Sequence, residues 1–177
     1  VQSLNALLKI IEEPGNYNHF ILINNNKKNL IDTLKSRCLE IKVFISQTNN
    51  IEIINSLSKK FNQNIFFDID TLVTSPGNLI KYNFIFEQNK IDLSLDYLDN
   101  LNTLINLYKK ERNIFYKELI YFFTDYHLCN FKKQNSISDE DFISNHLNIK
   151  RKINDFFVLN LSQTSLINSL ENNIFNA

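Results

Sequence analysis

The chain has 177 residues, of which 44% are hydrophobic and 21% are charged, and these values are ordinary for a folded globular protein. Lys and Arg together number 19, and so do Asp and Glu, so the formal net charge is zero. This balance argues against a large nucleic-acid-binding face, because phosphate contacts require clustered Lys and Arg, but it leaves room for a local basic patch. The longest apolar run is well short of the roughly 20 residues that a membrane-spanning helix needs. Two cysteines, Cys38 and Cys129, exclude a disulfide framework and indicate a reduced, cytoplasmic compartment.

The first 44 residues carry the pattern of an α/β domain. Apolar side chains at positions 4, 7, 8 and 11 have helical spacing, and Pro14 ends this predicted helix. Residues 19–23 form a continuous apolar run, which favours a strand buried on both faces of a parallel sheet. A short helix follows, and then an alternating strand over residues 39–43. Because the chain begins at Val1 and contains no Met, we expect the earlier part of this domain to lie upstream in a longer protein.

Residues 45–91 lose the strand pattern and predict three short helices. The last of them is marked most clearly, because Ser75 is a favoured helix N-cap and Pro76 suits the first helical position. Apolar spacing predicts a longer helix near the start of this segment and a short one around Leu72. Together these residues are expected to form a small three-helix domain.

Residues 92–177 repeat apolar and aromatic side chains at helical spacing for most of their length. Two long stripes end near Tyr126, and a polar segment at Lys132–Asp141 then predicts a loop. Further apolar stripes continue from Phe142 to Ile174. A bundle of four or five helices would bury these stripes against one another.

Three motifs occur in order near the start of the chain. They are an amphipathic helix ending in Glu-Glu-Pro at residues 5–14, an apolar run ending in Asn at residues 20–25, and a Ser-Arg-Cys tripeptide at residues 36–38. In this order and spacing they resemble the clamp-loader branch of the AAA+ ATPases. Residues 75–79, Ser-Pro-Gly-Asn-Leu, also resemble the element that opens the last helix of the lid domain in that family.

The resemblance implies a fold class of α+β, mostly α, in three parts. Residues 1–44 would be the C-terminal end of an AAA+ α/β domain. Residues 45–91 would be a three-helix lid domain, and residues 92–177 a helical collar bundle through which subunits assemble.

Arg37 is the residue to which the resemblance assigns chemistry. A guanidinium delivered from a neighbouring subunit stabilises the charge that builds on the γ-phosphate oxygens during ATP hydrolysis. The resemblance implies that Arg37 is such an arginine finger, acting in trans on ATP and Mg²⁺ at the adjacent subunit, with Ser36 seating the loop. The alternative is a surface or ion-paired arginine at a helix end. Cys38 is expected to be a small buried residue rather than a reactive thiol.

Two further positions match the family. Asn25 corresponds to the sensor-1 position, where a polar side chain helps to place the attacking water, and a simple strand-end polar residue is the alternative. The sensor-2 region comprises Ser75, Pro76, Gly77 and Asn78, and it departs from the ATP-hydrolysing members, which usually carry an Arg near the start of this helix. Asn78 and Lys81 stand there instead. This departure favours a subunit with little or no ATP hydrolysis of its own.

The resemblance also implies the partners. We expect a hetero-pentamer with other clamp-loader subunits of the gamma/tau and delta types, a sliding clamp, and primed DNA engaged through the complex. No cofactor and no metal are expected in this segment itself. Two alternatives stay open: an ATP-hydrolysing gamma/tau-type subunit, and a helical interaction protein without nucleotide chemistry. The latter explains the helices but not the ordered motifs in residues 3–38.

Overall fold

The computed structural model describes residues 2–13, 15, 17–24, 29–71, 74–135 and 137–174. Over these ranges the chain is mostly helical and contains no strand. The helices are α1 (Gln2–Glu12), α2 (Asp32–Lys35), α3 (Gln47–Phe61), a 3₁₀ helix (Ile69–Thr71), α4 (Pro76–Gln88), α5 (Tyr97–Glu111), α6 (Ile114–Gln134), α7 (Asp139–Val158) and α8 (Gln163–Ile174). The chain divides into two compact units, residues 1–45 and 46–177. Among the residues so described, no helix is both long enough and apolar enough to cross a membrane.

The first unit does not confirm the two predicted strands. Residues 19–24 and 38–45 form neither helix nor strand, and apolar side chains such as Ile21 and Val43 are 88% and 81% exposed. A strand needs a neighbour to satisfy its backbone N–H and C=O groups, and no backbone hydrogen bond joins these two segments where the structure describes them. The two apolar runs therefore do not form a sheet in the described part of the chain.

The second unit begins with α3, the 3₁₀ helix and α4, of which α3 and α4 pack against each other. Both α-helices start at a serine cap. The Ser46 side chain accepts a hydrogen bond from the Asn49 N–H at 3.2 Å, and the Ser75 side chain accepts one from the Asn78 N–H at 3.3 Å. The predicted start of the last helix at Ser75 is confirmed, with Pro76 in its first turn. Leu72, at the predicted short middle helix, lies outside the described residues.

Asn83 ties the connection before the 3₁₀ helix to α4. Its side chain is fully buried, its Oδ1 accepts a hydrogen bond from the Phe66 N–H at 2.9 Å, and its Nδ2 donates to the Asn64 carbonyl. One amide side chain therefore satisfies two backbone groups that no helix or strand could pair.

The remaining four described helices form a bundle in which α5 contacts α6 and α8, and α7 contacts α6 and α8. Their inward faces carry mainly leucine, isoleucine and phenylalanine side chains that are almost fully buried, including Leu101, Leu104, Ile105, Leu119, Ile120, Ile149, Ile153 and Leu170. The predicted Lys132–Asp141 loop is too long, because α6 continues to Gln134 and α7 starts at Asp139, where Ser138 accepts a hydrogen bond from the Asp141 N–H. The short connections favour neighbouring helices that run antiparallel.

The core continues without a break from α3 and α4 into this bundle. The Phe67 ring lies 5.0 Å from that of Phe86 on α4, and 5.2 and 5.1 Å from those of Phe122 and Tyr126 on α6. All three contacts are edge-to-face, the geometry that aromatic quadrupoles favour. The separation of a lid at 45–91 from a collar at 92–177 stays a prediction, and these two segments share one hydrophobic core.

His127 lies in this bundle with its ring stacked on Tyr97 at 4.4 Å. The ring of Phe131 lies 6.4 Å from His127, so three aromatic rings follow one another. Burial lowers the pKa of His127 below its ordinary value, and the negative charge of Asp96 opposes this shift only in part. His127 is therefore neutral in the folded protein at neutral pH.

Replacing Asn83 by Leu should lower the free energy of unfolding by about 1–3 kcal/mol, because the Phe66 N–H and the Asn64 carbonyl would lose their partner in a part-buried place. Urea unfolding followed by circular dichroism measures the change. Asn55→Leu, at an exposed position on α3, is the matched control and should stay within about 0.5 kcal/mol of wild type. Equal effects of the two substitutions would contradict the bridging role.

Acidification should destabilise the protein in part through His127. The unfolded chain binds a proton at this residue near pH 6.5, whereas the folded chain does so only at lower pH. The unfolded state therefore gains protons first, and the free energy of unfolding falls as the pH drops below about 6.5. His127→Phe should flatten this fall in urea unfolding at pH 7.5 and 5.0. His19→Gln, at an exposed position, should not, and a slope unchanged by His127→Phe would refute the assignment.

Candidate functional site

Ser36 and Arg37 lie just after the single turn of α2. The Ser36 N–H donates to the Asp32 carbonyl at 2.9 Å, and the Arg37 N–H donates to the Leu34 carbonyl at 3.1 Å, so the turn continues through both residues. The Ser36 hydroxyl donates to the Thr33 carbonyl at 3.1 Å. The Nη1 group of Arg37 donates to the same carbonyl at 3.0 Å and to the Ser36 hydroxyl at 3.2 Å. The Ser36 hydroxyl thus contacts the guanidinium of Arg37, and its role in seating the loop stays a prediction.

Glu12, at the end of α1, is the acidic partner of Arg37. The Arg37 Nε donates to the Glu12 Oε1, and the two side chains are 37% and 43% exposed. Ion pairs with this exposure contribute about 0–1 kcal/mol, since water screens the charges and ordering two long side chains costs entropy. Where the structure describes the surroundings, the Nη2 group of Arg37 has no hydrogen-bond acceptor. Among the described residues, the guanidinium is therefore held by exposed and individually weak contacts.

Glu12 was not singled out as a partner of Arg37 from the sequence. Its neighbour Glu13 carries the same carboxylate, so the sequence does not distinguish the two as partners. Glu12 and Arg37 are 25 positions apart, and no helical or strand periodicity pairs residues over that separation. The only available signal was the position of the acidic pair at the end of a predicted helix, where a nearby cation would be favourable for the carboxylates.

Cys38 differs from its prediction. It is exposed rather than buried, because the chain after α2 extends along the surface and Leu39 beside it is 88% exposed. Asn25, the sensor-1 candidate, lies outside the described residues.

The sensor-2 region lies in the second unit and has a clear local structure. Ser75 caps α4, Pro76 is buried in its first turn, and Asn78 supplies the N–H that the Ser75 hydroxyl accepts. A Cβ atom at Gly77 would meet no atom within 4 Å, so packing within this chain does not require a glycine there. The structure thus brings Ser36 and Arg37 together with Glu12 in one unit, and Ser75 to Asn78 together in the other.

A double-mutant cycle with Arg37→Gln and Glu12→Gln should give a coupling energy of about 0.2–1 kcal/mol, as for exposed ion pairs in general. Urea unfolding at low ionic strength measures it, because salt screens such pairs. Arg37→Gln combined with Glu13→Gln is the control cycle and should show less coupling. A coupling above about 3 kcal/mol, typical of a buried pair, would contradict a weakly held guanidinium.

Two comparisons with known proteins give a match. The family model described as DNA polymerase III, delta subunit, matches residues 1–47. A curated relative, DNA polymerase III subunit delta' of Buchnera aphidicola subsp. Baizongia pistaciae (strain Bp), is 39% identical over 64 residues. That match covers 36% of this chain and 19% of the relative, so only a small part of the relative's length is spanned. No solved structure gives a significant match.

The family match contains Glu12, Ser36, Arg37 and Cys38, the residues that form the ion pair and the Ser-Arg-Cys stretch. The match over residues 1–47 agrees with the motifs near the start of the chain. In that part the chain is similar to the DNA polymerase III delta subunit family, and the curated relative that it resembles is a delta' subunit.

Proposed function

We propose that this chain is the C-terminal part of a subunit that helps the DNA polymerase III clamp loader to place the sliding clamp on primed DNA in an ATP-dependent reaction. In this proposal Arg37 acts in trans as an arginine finger on ATP bound by an adjacent gamma/tau-type subunit. The observation that carries it is the position of Arg37. It lies within residues 1–47, which match the family, and it is oriented by exposed contacts with Glu12, Thr33 and Ser36.

The contacts of Arg37 suit a transferable guanidinium. Glu12 is a carboxylate, and a phosphate offers the same kind of charged, two-oxygen acceptor for the planar guanidinium fork. Because the pair with Glu12 is exposed, exchanging it for a phosphate oxygen costs little free energy. ATP with its Mg²⁺ supplies the phosphoryl group at the neighbouring subunit. Arg37 would supply positive charge where negative charge develops, and Ser36 would hold the guanidinium in position.

The exposed apolar residues of the first unit support the proposed α/β origin of residues 1–44. Ile21, Ile41 and Val43 are at least 75% exposed, although their pattern is that of buried strands. Strands of a larger sheet would cover these side chains and pair their backbone groups. In the same proposal residues 45–91 are the lid and residues 92–177 are the collar through which the hetero-pentamer with gamma/tau and delta subunits assembles.

The helix that starts at Ser75 supports a subunit with little ATP hydrolysis of its own. Its first turns carry Asn78 and Lys81 where ATP-hydrolysing members of the family have an Arg. We therefore propose a cytoplasmic component of the polymerase holoenzyme that contributes to the ATPase site of its neighbour.

The test is the ATPase activity of the reconstituted clamp loader, stimulated by primed DNA and clamp, with the full-length subunit carrying Arg37→Ala. Turnover at the adjacent ATP site should fall by about 10³-fold or more, as for other arginine fingers. Arg37→Lys should recover little of it, because an ammonium lacks the planar fork. Arg151→Ala, an exposed arginine on α7, is the matched control and should leave turnover unchanged.

Assembly of each variant complex is checked by size-exclusion chromatography. Unchanged turnover in a fully assembled Arg37→Ala complex would refute the finger.

A further inference from the structure

A cavity of about 300 Å³ opens beside the start of α5, within the second unit. One wall is the segment that enters α5, with Leu95, Asp96 and Tyr97, and the other is the second half of α6, with Tyr126, His127 and Phe131. This volume lies at the lower end of the range for small-molecule sites and suits a single long side chain better than a larger ligand.

The wall of the cavity is largely aromatic, with rings from both α5 and α6. Tyr97 and His127 stack at 4.4 Å with 17° between their planes, and Phe131 continues the stack at 6.4 Å from His127. The hydroxyl of Tyr126 accepts a hydrogen bond from the Asp68 N–H at 3.1 Å, which fixes a fourth ring at the same cavity. The faces of aromatic rings are electron-rich and attract cations, so this wall favours a positively charged group.

Asp96 gives the cavity its charge. Its carboxylate caps α5 by accepting a hydrogen bond from the Leu98 N–H at 2.9 Å, so its position is fixed before any ligand binds. No Lys or Arg lines the cavity in the described part of the chain. The two lysines that follow on α6 are engaged with other carboxylates, Lys132 with Asp139 and Lys133 with Asp68.

The net charge of the cavity is therefore negative at neutral pH. The full negative charge of Asp96 exceeds the roughly half positive charge at the start of an α-helix. His127 does not offset it, because burial lowers its pKa and keeps the imidazole neutral.

We propose that this cavity binds an arginine side chain presented by a partner protein. The planar guanidinium would stack on the outer face of Phe131, at the end of the ring stack beside His127, and pair with the carboxylate of Asp96. Arginine suits this combination better than lysine, since its flat, weakly hydrated head group both stacks on rings and donates two parallel hydrogen bonds to a carboxylate. The site lies in the second unit and does not depend on Arg37 or on ATP chemistry.

The test uses the three histidines of the chain, of which only His127 lines the cavity. The full-length protein is labelled with ¹³C at histidine Cε1 and titrated with N-acetyl-L-arginine methylamide, a mimic of an arginine residue within a polypeptide. The His127 resonance should shift in a saturable manner with an affinity in the millimolar range, while the His19 and His146 resonances stay in place. N-acetyl-L-citrulline methylamide, which has the same shape without the charge, should bind at least about fivefold more weakly.

Asp96→Asn removes the negative charge and keeps the cap of α5, because Asn is an equally good helix N-cap. This variant should remove the preference for arginine over citrulline, whereas Asp99→Asn, an exposed acid in the same helical turn, should retain it. Equal binding of the two ligands to the wild-type protein, or no saturable shift of His127, would overturn the proposal. This comparison is made in the wild-type protein and so does not depend on how the variants fold.

Discussion

Helix α6 buries side chains around most of its circumference, and the packing of the second unit depends on this burial. It packs against α5 on one side, α7 on another and the 3₁₀ helix on a third. Leu119, Ile120 and Phe123 are almost fully buried, and each such side chain contributes about 1.5–3 kcal/mol through removal from water. The buried hydroxyls of Tyr97 and Thr124, 3.0 Å apart, add a specific contact between α5 and α6. Because the Thr124 hydroxyl donates to the Ile120 carbonyl, the Tyr97 hydroxyl is the donor in that pair, and burial raises the pKa of Tyr97 so that it stays protonated.

The first unit has the opposite character, and this bears on its function. Among the described residues of the first unit, Leu34 is the one apolar residue that is buried. Most of the other described apolar side chains of this unit face solvent. Arg37 is correspondingly held by an exposed carboxylate, a backbone carbonyl and a hydroxyl rather than by a buried network. A group that must reach a phosphate on another subunit has to leave its resting partners at low cost, and contacts of this kind allow it. In the proposed function, the well-packed helical unit would serve assembly and the weakly held guanidinium would serve the chemistry.

Local sequence signals correctly predicted the features that depend only on residues nearby in the chain, namely helix starts and helices. Ser75 and Pro76 marked the start of α4, and the apolar stripes marked the helices of the bundle, because these signals act within one or two turns. The apolar runs around Ile21 and Ile41 predicted strands that are absent from the described residues, since a strand also needs a partner with matching backbone groups. Cys38 was expected to be buried because free cysteines usually are, and it is exposed. Asn83 bonds to Phe66, 17 positions away, and Arg37 pairs with Glu12, 25 positions away. No local sequence pattern predicts contacts over such separations.

The most direct test of the proposed role of Arg37 is the structure of the assembled clamp loader with a non-hydrolysable ATP analogue, determined by electron cryo-microscopy. We expect that the Arg37 guanidinium separates from Glu12 and lies at hydrogen-bond distance, about 3 Å, from a γ-phosphate oxygen bound by the adjacent subunit. An Arg37 that stays paired with Glu12 while the neighbouring nucleotide is bound and fully enclosed by other residues would contradict it.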